Sequence, residues 1–305
     1  QVELALLNEV LGRSLFAPVV FGSTAPDTGN AEILVHYGSP EQRARYLGPL
    51  VDGLIYSGFS MTEPQGGSDP EQFTTVAQRD GDEWVIDGEK WFTSNARYAS
   101  FLIVMAVTDP DGPRHHRHSM FIVPLPTSGV SILRNVGVAG WDAAGEGSHG
   151  YIRFEGARVP ADHLLGEPGE AFAVAQRRLG GGRVHHAMRA VGMARRAFEL
   201  LCERAVSRWT RGEPLARKQL VQEMVADSWI ELEQLRLLVL QTAWKIDQRG
   251  SYNAVRADVA AVKAAMPGVL RNIASRALQI HGSLGISDEM PFVKMLVASQ
   301  SLAIA

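Results

Sequence analysis

The sequence lacks the features that would place it in several specialised classes of protein. It has a single cysteine, Cys202, so an internal disulfide is excluded, and the neighbouring leucines predict a buried position on a helix. No apolar run reaches transmembrane length and no signal peptide is visible, so we expect no membrane span and a cytoplasmic location. The formal net charge of −3 gives no sign of a nucleic-acid partner, and no spacing typical of metal ligands is found.

The periodicity of apolar residues divides the chain into three segments. Residues 1–50 are predicted to be an N-terminal helical segment, residues 51–165 a middle β domain, and residues 166–305 a C-terminal helical bundle. The predicted fold class is therefore α+β, mostly α. The first helix is predicted to bury apolar residues that share one face: Leu4, Leu7, Val10 and Leu11.

Turn signals and residue types locate the individual elements. The clearest predicted strands are runs rich in β-branched and aromatic residues: 83–88, 101–107, 119–124 and 151–154, with a further strand-like run at 73–77. Long helices are predicted at about 170–210, 215–249 and 253–281. The basic cluster Arg114–His118 stands between a proline and a predicted strand, and we expect it to be a solvated loop.

The stretch Met61–Asp69 (MTEPQGGSD) carries the strongest chemical signal in the chain. Pro64 fixes its own backbone angle, while Gly66 and Gly67 permit conformations that are closed to other residues. Such a loop can direct N–H groups and the hydroxyls of Thr62 and Ser68 onto a heterocycle or a pyrophosphate. An ordinary connecting loop is the alternative interpretation of its shape.

A second stretch, Gly88–Asn95 (GEKWFTSN), is predicted to be a strand with ring and hydroxyl side chains. Strand alternation places Lys90, Phe92 and Ser94 on one face, and Trp91 with Thr93 on the other. A half-buried strand with packing aromatics is the alternative, and a shift by one residue would exchange Trp91 for Phe92.

These two stretches resemble the signatures of the acyl-CoA dehydrogenases, a family of FAD-dependent enzymes. The resemblance implies that the first stretch contacts the flavin and the substrate, with Thr62 at the pyrimidine edge and Ser68 at the substrate. It implies that Phe92 shields one flavin face and that Ser94 donates towards flavin N5. The cofactor-binding residues implied in this part of the chain are Phe59, Met61, Thr62, Gly67, Ser68, Phe92 and Ser94.

The helical third of the chain carries further matches to the same family. Gly180–Gly182 are expected to open a helix, and Arg183 matches an arginine that lines the acyl-CoA channel. Two more segments match those that reach the flavin of a neighbouring subunit, which implies a homodimer or homotetramer. Their implied cofactor-binding residues are Arg208, Thr210, Gln219, Gln279, Ile280, Gly282 and Ser283. His281 is expected to be a packing or capping histidine.

The catalytic base that the family requires is absent from this sequence. Counting about fifteen residues from Pro291 reaches position 306, one residue past Ala305, where the family has a carboxylate. Some members place the base just before the arginine that matches Arg183, but Gly182 stands there and cannot accept a proton. We therefore expect the chain to be truncated at both ends, and residue 306 to be Asp or Glu.

The resemblance implies α,β-dehydrogenation of an acyl-CoA thioester, with electrons passed to an electron-transfer flavoprotein. An acyl-CoA oxidase-like or nitroalkane-oxidase-like flavoenzyme is one alternative, because the same pocket serves when oxygen reaches the reduced flavin. A catalytically silent structural homologue is the alternative from another class, and an acidic residue at 306 would argue against it.

Overall fold

A computed structural model of the chain describes residues 1–138 and 149–304. Its helices are α1 (Val2–Gly12), α2 (Ala17–Val20), α3 (Asp27–Tyr37), α4 (Pro40–Gln42), α5 (Gly48–Val51), α6 (Ala171–Ser207), α7 (Gln219–Arg249), α8 (Arg256–His281) and α9 (Phe292–Ile304). Its strands are β1 (Tyr56–Ser60), β2 (Val76–Asp80), β3 (Glu83–Ser94), β4 (Ala99–Val107), β5 (His118–Pro124), β6 (Val130–Val136), β7 (His149–Pro160), β8 (Trp209–Thr210) and β9 (Glu213–Pro214). A π-helical segment, Arg43–Leu47, connects α4 to α5.

The described residues form two compact units. One contains residues 1–21 and 180–304, and the other contains residues 22–138 and 149–179. Residues 22–50 and 166–179 thus belong to the same unit as the sheet, and the boundary falls inside α6. The division of the sequence into three domains stays a prediction, because a grouping of residues by compactness does not test domain boundaries.

The larger sheet has seven strands in the order β1-β4-β2-β3-β7-β6, and β5 pairs with β4. Strand β1 is parallel to β4, whereas the β2–β3, β3–β7, β4–β5 and β6–β7 pairs are antiparallel. The four predicted strands are confirmed, but the strand-like run at 73–77 is not: β2 begins only at Val76. Phe73 instead packs in the core, and the N–H groups of Thr74 and Thr75 donate to a carboxylate.

Strand β4 is buried on both of its faces, which explains its continuous apolar sequence. Phe101, Ile103 and Met105 pack with buried residues of α3 and the first turn of α6. Leu102 and Val104 lie in a second core with residues of β3 and β7. Two layers of side chains therefore hold β4 at the centre of the sheet, and β1 beside it leads directly into the loop Met61–Asp69.

Helix α1 buries a face other than the one predicted. Leu7 and Val10 are exposed, whereas the buried residues of α1 are Ala5, Asn8, Glu9, Leu11 and Gly12. The cause is a close crossing with α6, because a Cβ on Gly12 would lie 2.3 Å from the carbonyl oxygen of Arg189. Only small residues fit such a contact, so Leu7 and Val10 lie away from this crossing while Leu11 stays buried.

The expectation that Gly180–Gly182 open a helix is wrong. All three glycines lie inside α6, which begins at Ala171 and continues to Ser207. Glycine in a helix interior costs roughly 0.5–1 kcal/mol relative to alanine. Packing supports the helix here, since a Cβ on Gly180 would lie 3.1 Å from the Cβ of Tyr252.

Candidate functional site

The loop Met61–Asp69 is folded around a tight turn between Glu63 and Gly66. The N–H of Glu63 donates to the carbonyl of Gly66 at 3.0 Å, and the N–H of Gly66 donates back at 3.2 Å. Contrary to expectation, neither Gly66 nor Gly67 has a positive φ. Gly66 is needed for space, because a Cβ there would lie 3.1 Å from the Cβ of Gln72.

Two hydroxyl groups of this loop are uncommitted. Ser68 is exposed and Thr62 is half-buried, and neither side chain makes a hydrogen bond within the described residues. The backbone carbonyl of Thr62 accepts the N–H of Trp91 at 2.9 Å, which ties the loop to β3. Both hydroxyls are therefore available to a ligand, and Thr62 lies next to the strand that carries the second signature.

An ion pair buried beneath the loop provides a second tie to β3. The ammonium of Lys90 lies 2.7 Å from the carboxylate of Glu63, and both side chains are almost completely buried. Burial alone would raise the pKa of the Glu63 carboxyl, but Lys90 and the surrounding hydrogen bonds outweigh it and lower that pKa. Burial lowers the pKa of Lys90 to about 8, which is still above 7, so both members of the pair are charged at pH 7.

Strand β3 does not alternate as predicted around its aromatic residues. A bulge falls between Lys90 and Thr93 in the pairing with β7, and Phe92 has a φ of 55°. Lys90 and Thr93 are consequently both buried, while Phe92 is 50% exposed, so Lys90 and Phe92 do not share a face. The prediction that they do is wrong, because the bulge inserts an extra residue into the alternation.

Near the bulge of β3, Phe92 is exposed and Ser94 is partly exposed, so both side chains are accessible to a ligand. The Phe92 ring stacks on Trp91, with centroids 5.3 Å apart and planes 9° apart. The hydroxyl of Ser94 lies 3.0 Å from Nδ1 of His149 on β7, a partner that the sequence did not suggest. A flat exposed ring and a nearby hydroxyl are the two features expected at one face of a flavin.

Phe59 and Met61, the other implied cofactor residues of this unit, flank the end of β1. Both pack partly buried against the core that contains β4. The guanidinium carbon of Arg178 lies 3.9 Å from the centroid of the Phe59 ring. Phe59 and Met61 lie near Thr62 because the three residues are close in the sequence. Their role in binding a flavin stays a prediction.

A cavity of about 410 Å³ opens beside Ser68. Arg114 in its wall forms an ion pair with Glu71. His115 stacks on Phe172, with ring centroids 4.2 Å apart and planes 22° apart. The cavity is lined by Ser68, Asp69, Pro70, Glu71, Arg114, His115, His118 and Phe172. The stacked rings suit a heterocycle, and Arg114, whose charge is balanced by Glu71 in this structure, is the group of the cavity that suits a phosphate.

The basic cluster is therefore only partly the solvated loop that was expected. Arg114, His115 and His116 are exposed, but His118 opens β5 and is 4% exposed. Burial lowers the pKa of His118, and the nearby positive charge of Lys90 lowers it further. His118 is consequently neutral at physiological pH and belongs to the core beneath the cavity.

In the other unit, Arg183 lines a second cavity of about 580 Å³ together with Lys263 and Arg271. The ammonium of Lys263 donates to the carbonyl of Leu302 on α9. Burial lowers the pKa of Lys263, and the charge of Arg183 adds to this effect. This cavity contains the positive charge that a channel for a phosphorylated ligand requires.

The remaining implied cofactor residues lie at the surface of this unit. Arg208 and Thr210 belong to the β8–β9 hairpin, and Gln219 begins α7, all with exposed side chains. After α8, Gly282 has a φ of 62°, and Gln279, Gly282 and Ser283 are exposed while Ile280 is half-buried. Their contact with the flavin of another subunit stays a prediction.

His281 is confirmed as a packing and capping histidine. Its Nδ1 lies 2.7 Å from the carbonyl oxygen of Ala277, and its ring packs 4.8 Å from that of Phe292. Within the described residues, no three or more His, Cys, Asp or Glu side chains are grouped as metal ligands. Among these residues, no helix is both long and apolar enough to span a membrane.

Comparison with known proteins decides the family. A model of the acyl-CoA dehydrogenase middle domain matches residues 58–157, and a model of the C-terminal domain of the same enzymes matches residues 169–305. A Mycobacterium tuberculosis protein named "Probable acyl-CoA dehydrogenase FadE2" is 46% identical over 300 residues, which cover 96% of this chain and 72% of the relative. The chain belongs to the acyl-CoA dehydrogenase family.

Other members of the acyl-CoA dehydrogenase family extend the comparison. Acyl-CoA dehydrogenase family member 11 of Rattus norvegicus is 40% identical over 309 residues, but the chain spans only 40% of its length. A solved Mycobacterium abscessus structure assigned as an acyl-CoA dehydrogenase is 41% identical, with a TM-score of 0.94 over 100% of this chain and 75% of that one. A structure of PigA with FAD and proline is 26% identical, with a TM-score of 0.91 over 99% and 78% of the two chains. The predicted fold class is therefore confirmed.

Proposed function

We propose that this protein binds FAD non-covalently and uses it to introduce an α,β double bond into an acyl-CoA thioester. The observation that supports this most directly is the link between the two signatures, in which the N–H of Trp91 donates to the carbonyl of Thr62. This bond joins the loop that carries the free hydroxyls of Thr62 and Ser68 to the strand that carries Phe92 and Ser94. A planar ligand with polar edges fits that combination of groups.

The cofactor supplies one part of the chemistry and the chain supplies the rest. FAD, when bound, accepts a hydride from the β-carbon of the substrate. Phe92 would cover one face of the ring system, Thr62 would hold its polar edge, and Ser94 would donate a hydrogen bond to it. His149 orients the Ser94 hydroxyl from the neighbouring strand.

Removal of the α-proton needs a base that this sequence does not contain. We assign that role to residue 306, which follows α9 and is expected to be Asp or Glu. Gly182 occupies the other position at which the family holds a carboxylate, and it has no side chain to accept a proton. A carboxylate in apolar surroundings has a raised pKa and accepts a carbon-bound proton more readily.

The cavity beside Ser68 is our candidate for the nucleotide part of coenzyme A. Arg114 supplies a guanidinium for phosphate, and the stacked His115 and Phe172 rings offer a surface for a heterocycle. Replacing Arg114 with alanine should raise KM for an acyl-CoA and leave KM for the matching acyl-pantetheine thioester unchanged, since the latter has no nucleotide. Arg79→Ala, an exposed arginine on β2, is the matched control.

The direct test of the function is an anaerobic titration of the full-length protein with a panel of acyl-CoAs. Bleaching of the flavin absorbance by a subset of the panel would support acyl-CoA dehydrogenation. Mixing the reduced protein with oxygen or with an electron-transfer flavoprotein then identifies the acceptor, which we expect to be the flavoprotein. A colourless protein that FAD cannot reconstitute would refute the proposal.

A further inference from the structure

The ion pair between Glu63 and Lys90 has no part in the chemistry proposed above, yet it is the most deeply buried charged pair near the site. Their side chains are 1% and 0% exposed. By contrast, Glu83 on β3 pairs with Arg158 on β7, and these two side chains are 44% and 50% exposed. This difference in burial is important, because removing two charges from water costs several kcal/mol per ion, and only their mutual attraction offsets that cost.

The Glu63 carboxylate accepts hydrogen bonds from the loop itself and from the segment that follows it. It accepts the backbone N–H of Thr74 at 2.6 Å, that of Thr75 at 3.0 Å, and the side-chain amide of Gln65 at 2.6 Å. Both carboxylate oxygens are therefore used. The loop cannot move away from the residues that follow it unless several charge-assisted hydrogen bonds break.

The Lys90 ammonium attaches this assembly to β3. Besides Glu63, it donates to the carbonyl of Met61 at 2.9 Å, and it lies 4.6 Å from the centroid of the Phe73 ring. The next residue, Trp91, donates its N–H to the carbonyl of Thr62. Two consecutive residues of β3 thus hold two consecutive carbonyls of the loop, and the bulge with Phe92 follows immediately.

A pair placed in this way is a poor means of increasing stability. Apolar residues of similar volume often stabilise a protein as well as a buried ion pair does, or better. What apolar packing cannot provide is direction, because a charge-assisted hydrogen bond has a preferred length and angle. The geometry of this pair therefore suits a positioning role.

We propose that the Glu63–Lys90 ion pair positions the Thr62 loop against the Phe92–Ser94 segment, and so sets the affinity and the environment of the flavin. The proposal rests on the proposed function, because it takes FAD as the ligand. Both residues are positioning residues that act through Thr62 and Ser94, and neither touches the reacting atoms.

Three variants of full-length protein separate positioning from stability. Lys90→Met and Glu63→Gln each leave one buried group without its charged partner, so both are expected to lower the Tm. The double variant Glu63→Gln/Lys90→Met has no uncompensated charge, so its Tm should recover towards that of the parent. FAD binding should not recover, and we expect it to be about 10- to 100-fold weaker than in the parent, since hydrogen bonds to charged groups are lost.

Two measurements besides activity report on the loop itself. Hydrogen exchange of the apo-protein should show faster exchange of residues 61–68 in the double variant, with unchanged exchange in α7. The flavin absorbance and circular dichroism of saturated protein should differ from the parent spectra. Arg158→Ala, which breaks the exposed ion pairs of Arg158 on β7 with Glu83 and Asp80, should change neither measurement and should leave FAD affinity at the parent value.

The outcomes distinguish this proposal from the function on which it rests. Parent-like FAD affinity and parent-like exchange in a double variant of recovered Tm would overturn it, and the pair would then only stabilise the fold. A parent protein that binds no FAD would refute the function, while the exchange result would still test the loop. If the double variant does not fold, the single variant Glu63→Gln provides the test, because it removes the negative charge of the pair and keeps the shape of the side chain. Parent-like FAD affinity in folded Glu63→Gln would then overturn the proposal.

Discussion

The rings of Trp91 and Phe92 stack face to face, although they belong to adjacent residues of one strand. Neighbours on a regular strand point to opposite faces, and the positive φ of Phe92 is what brings the two rings together. Such a backbone costs about 1–3 kcal/mol for a bulky residue. Tyr151 on β7 also stacks on Trp91, with ring centroids 5.1 Å apart and planes 19° apart, so the Trp91 ring is held from a neighbouring strand.

The stack leads to a prediction for Trp91→Leu. Phe92 would lose the ring that holds it, and we expect FAD binding to weaken by about 2- to 10-fold, the value of one aromatic pair. Trp91→Phe should retain most of the affinity, because it keeps a stacking ring. Fluorescence titration of the apo-protein with FAD measures the effect, with Tyr98→Leu as the control for an exposed aromatic residue. Equal affinity in Trp91→Leu and the parent would mean that the stack does not support the flavin site.

Ser94→Ala should separate binding from reduction. The variant loses the hydroxyl beside His149, so we expect FAD to remain bound while flavin reduction by acyl-CoA slows by ~10²–10³-fold, the usual effect of one positioned donor. Anaerobic rapid mixing measures the rate, and Ser131→Ala on the exposed face of β6 is the control. An unchanged rate would place the hydrogen-bond partner of the flavin elsewhere in the protein.

Residue 306 of the intact chain is predicted to be Asp or Glu. Its replacement by alanine should abolish flavin reduction, since loss of a general base costs ~10²–10⁴-fold, while FAD binding and assembly persist. Gln300→Ala, exposed on α9, should reduce the flavin at the parent rate. A non-acidic residue at this position, or normal turnover by the alanine variant, would favour the silent-homologue interpretation.

Helix α7 carries an exposed apolar stripe at seven-residue spacing, formed by Ile230, Leu237 and Trp244. Because large apolar side chains on one helix face indicate an interface, we predict that it is buried in a homodimer or homotetramer. Leu237→Glu should shift the assembly towards smaller species in light scattering. As a control, Arg249→Glu introduces a glutamate outside the stripe and should leave the molar mass of the assembly unchanged. A flavin-loaded monomer in the parent protein would contradict the prediction.

The depressed pKa of Glu63 predicts how stability depends on pH. A carboxyl whose pKa is lowered by folding contributes stability that is present above its ordinary value of 4.5, and that is lost as pH falls through the folded value. The parent should therefore have the higher Tm at pH 7, and the gap between it and Glu63→Gln should narrow below pH 4.5. Glu83→Gln, which alters an exposed carboxylate on β3, should show little such gap at either pH. A gap that is constant with pH would mean that Glu63 is not ionised in the fold.

Several features of the site are readable from the sequence because they are local. The pattern of β-branched and aromatic residues predicts strand β4, and the apolar periodicity with glycine and proline breaks predicts α7 and α8. The loop Met61–Asp69 and the segment Gly88–Asn95 name the functional residues by their types and spacing. Glu63 and Lys90 lie inside these same two stretches. The presence of one acidic and one basic residue there was the only feature of the sequence that pointed to the buried ion pair.

What the sequence by itself determined are the four clearest strands, the long helices, their order and the family signatures, since these depend on residues close along the chain. Only the tertiary structure decided which face each element buries. Helix α1 turns small and polar residues inward because α6 approaches at Gly12, and β3 exposes Phe92 because a bulge against β7 breaks its alternation. The Glu63–Lys90 pair likewise depends on two segments meeting in space. Long-range packing outweighs local preference at these positions. Local conformations differ by roughly a few tenths of a kcal/mol, and the free energy of burying an apolar face is larger than that.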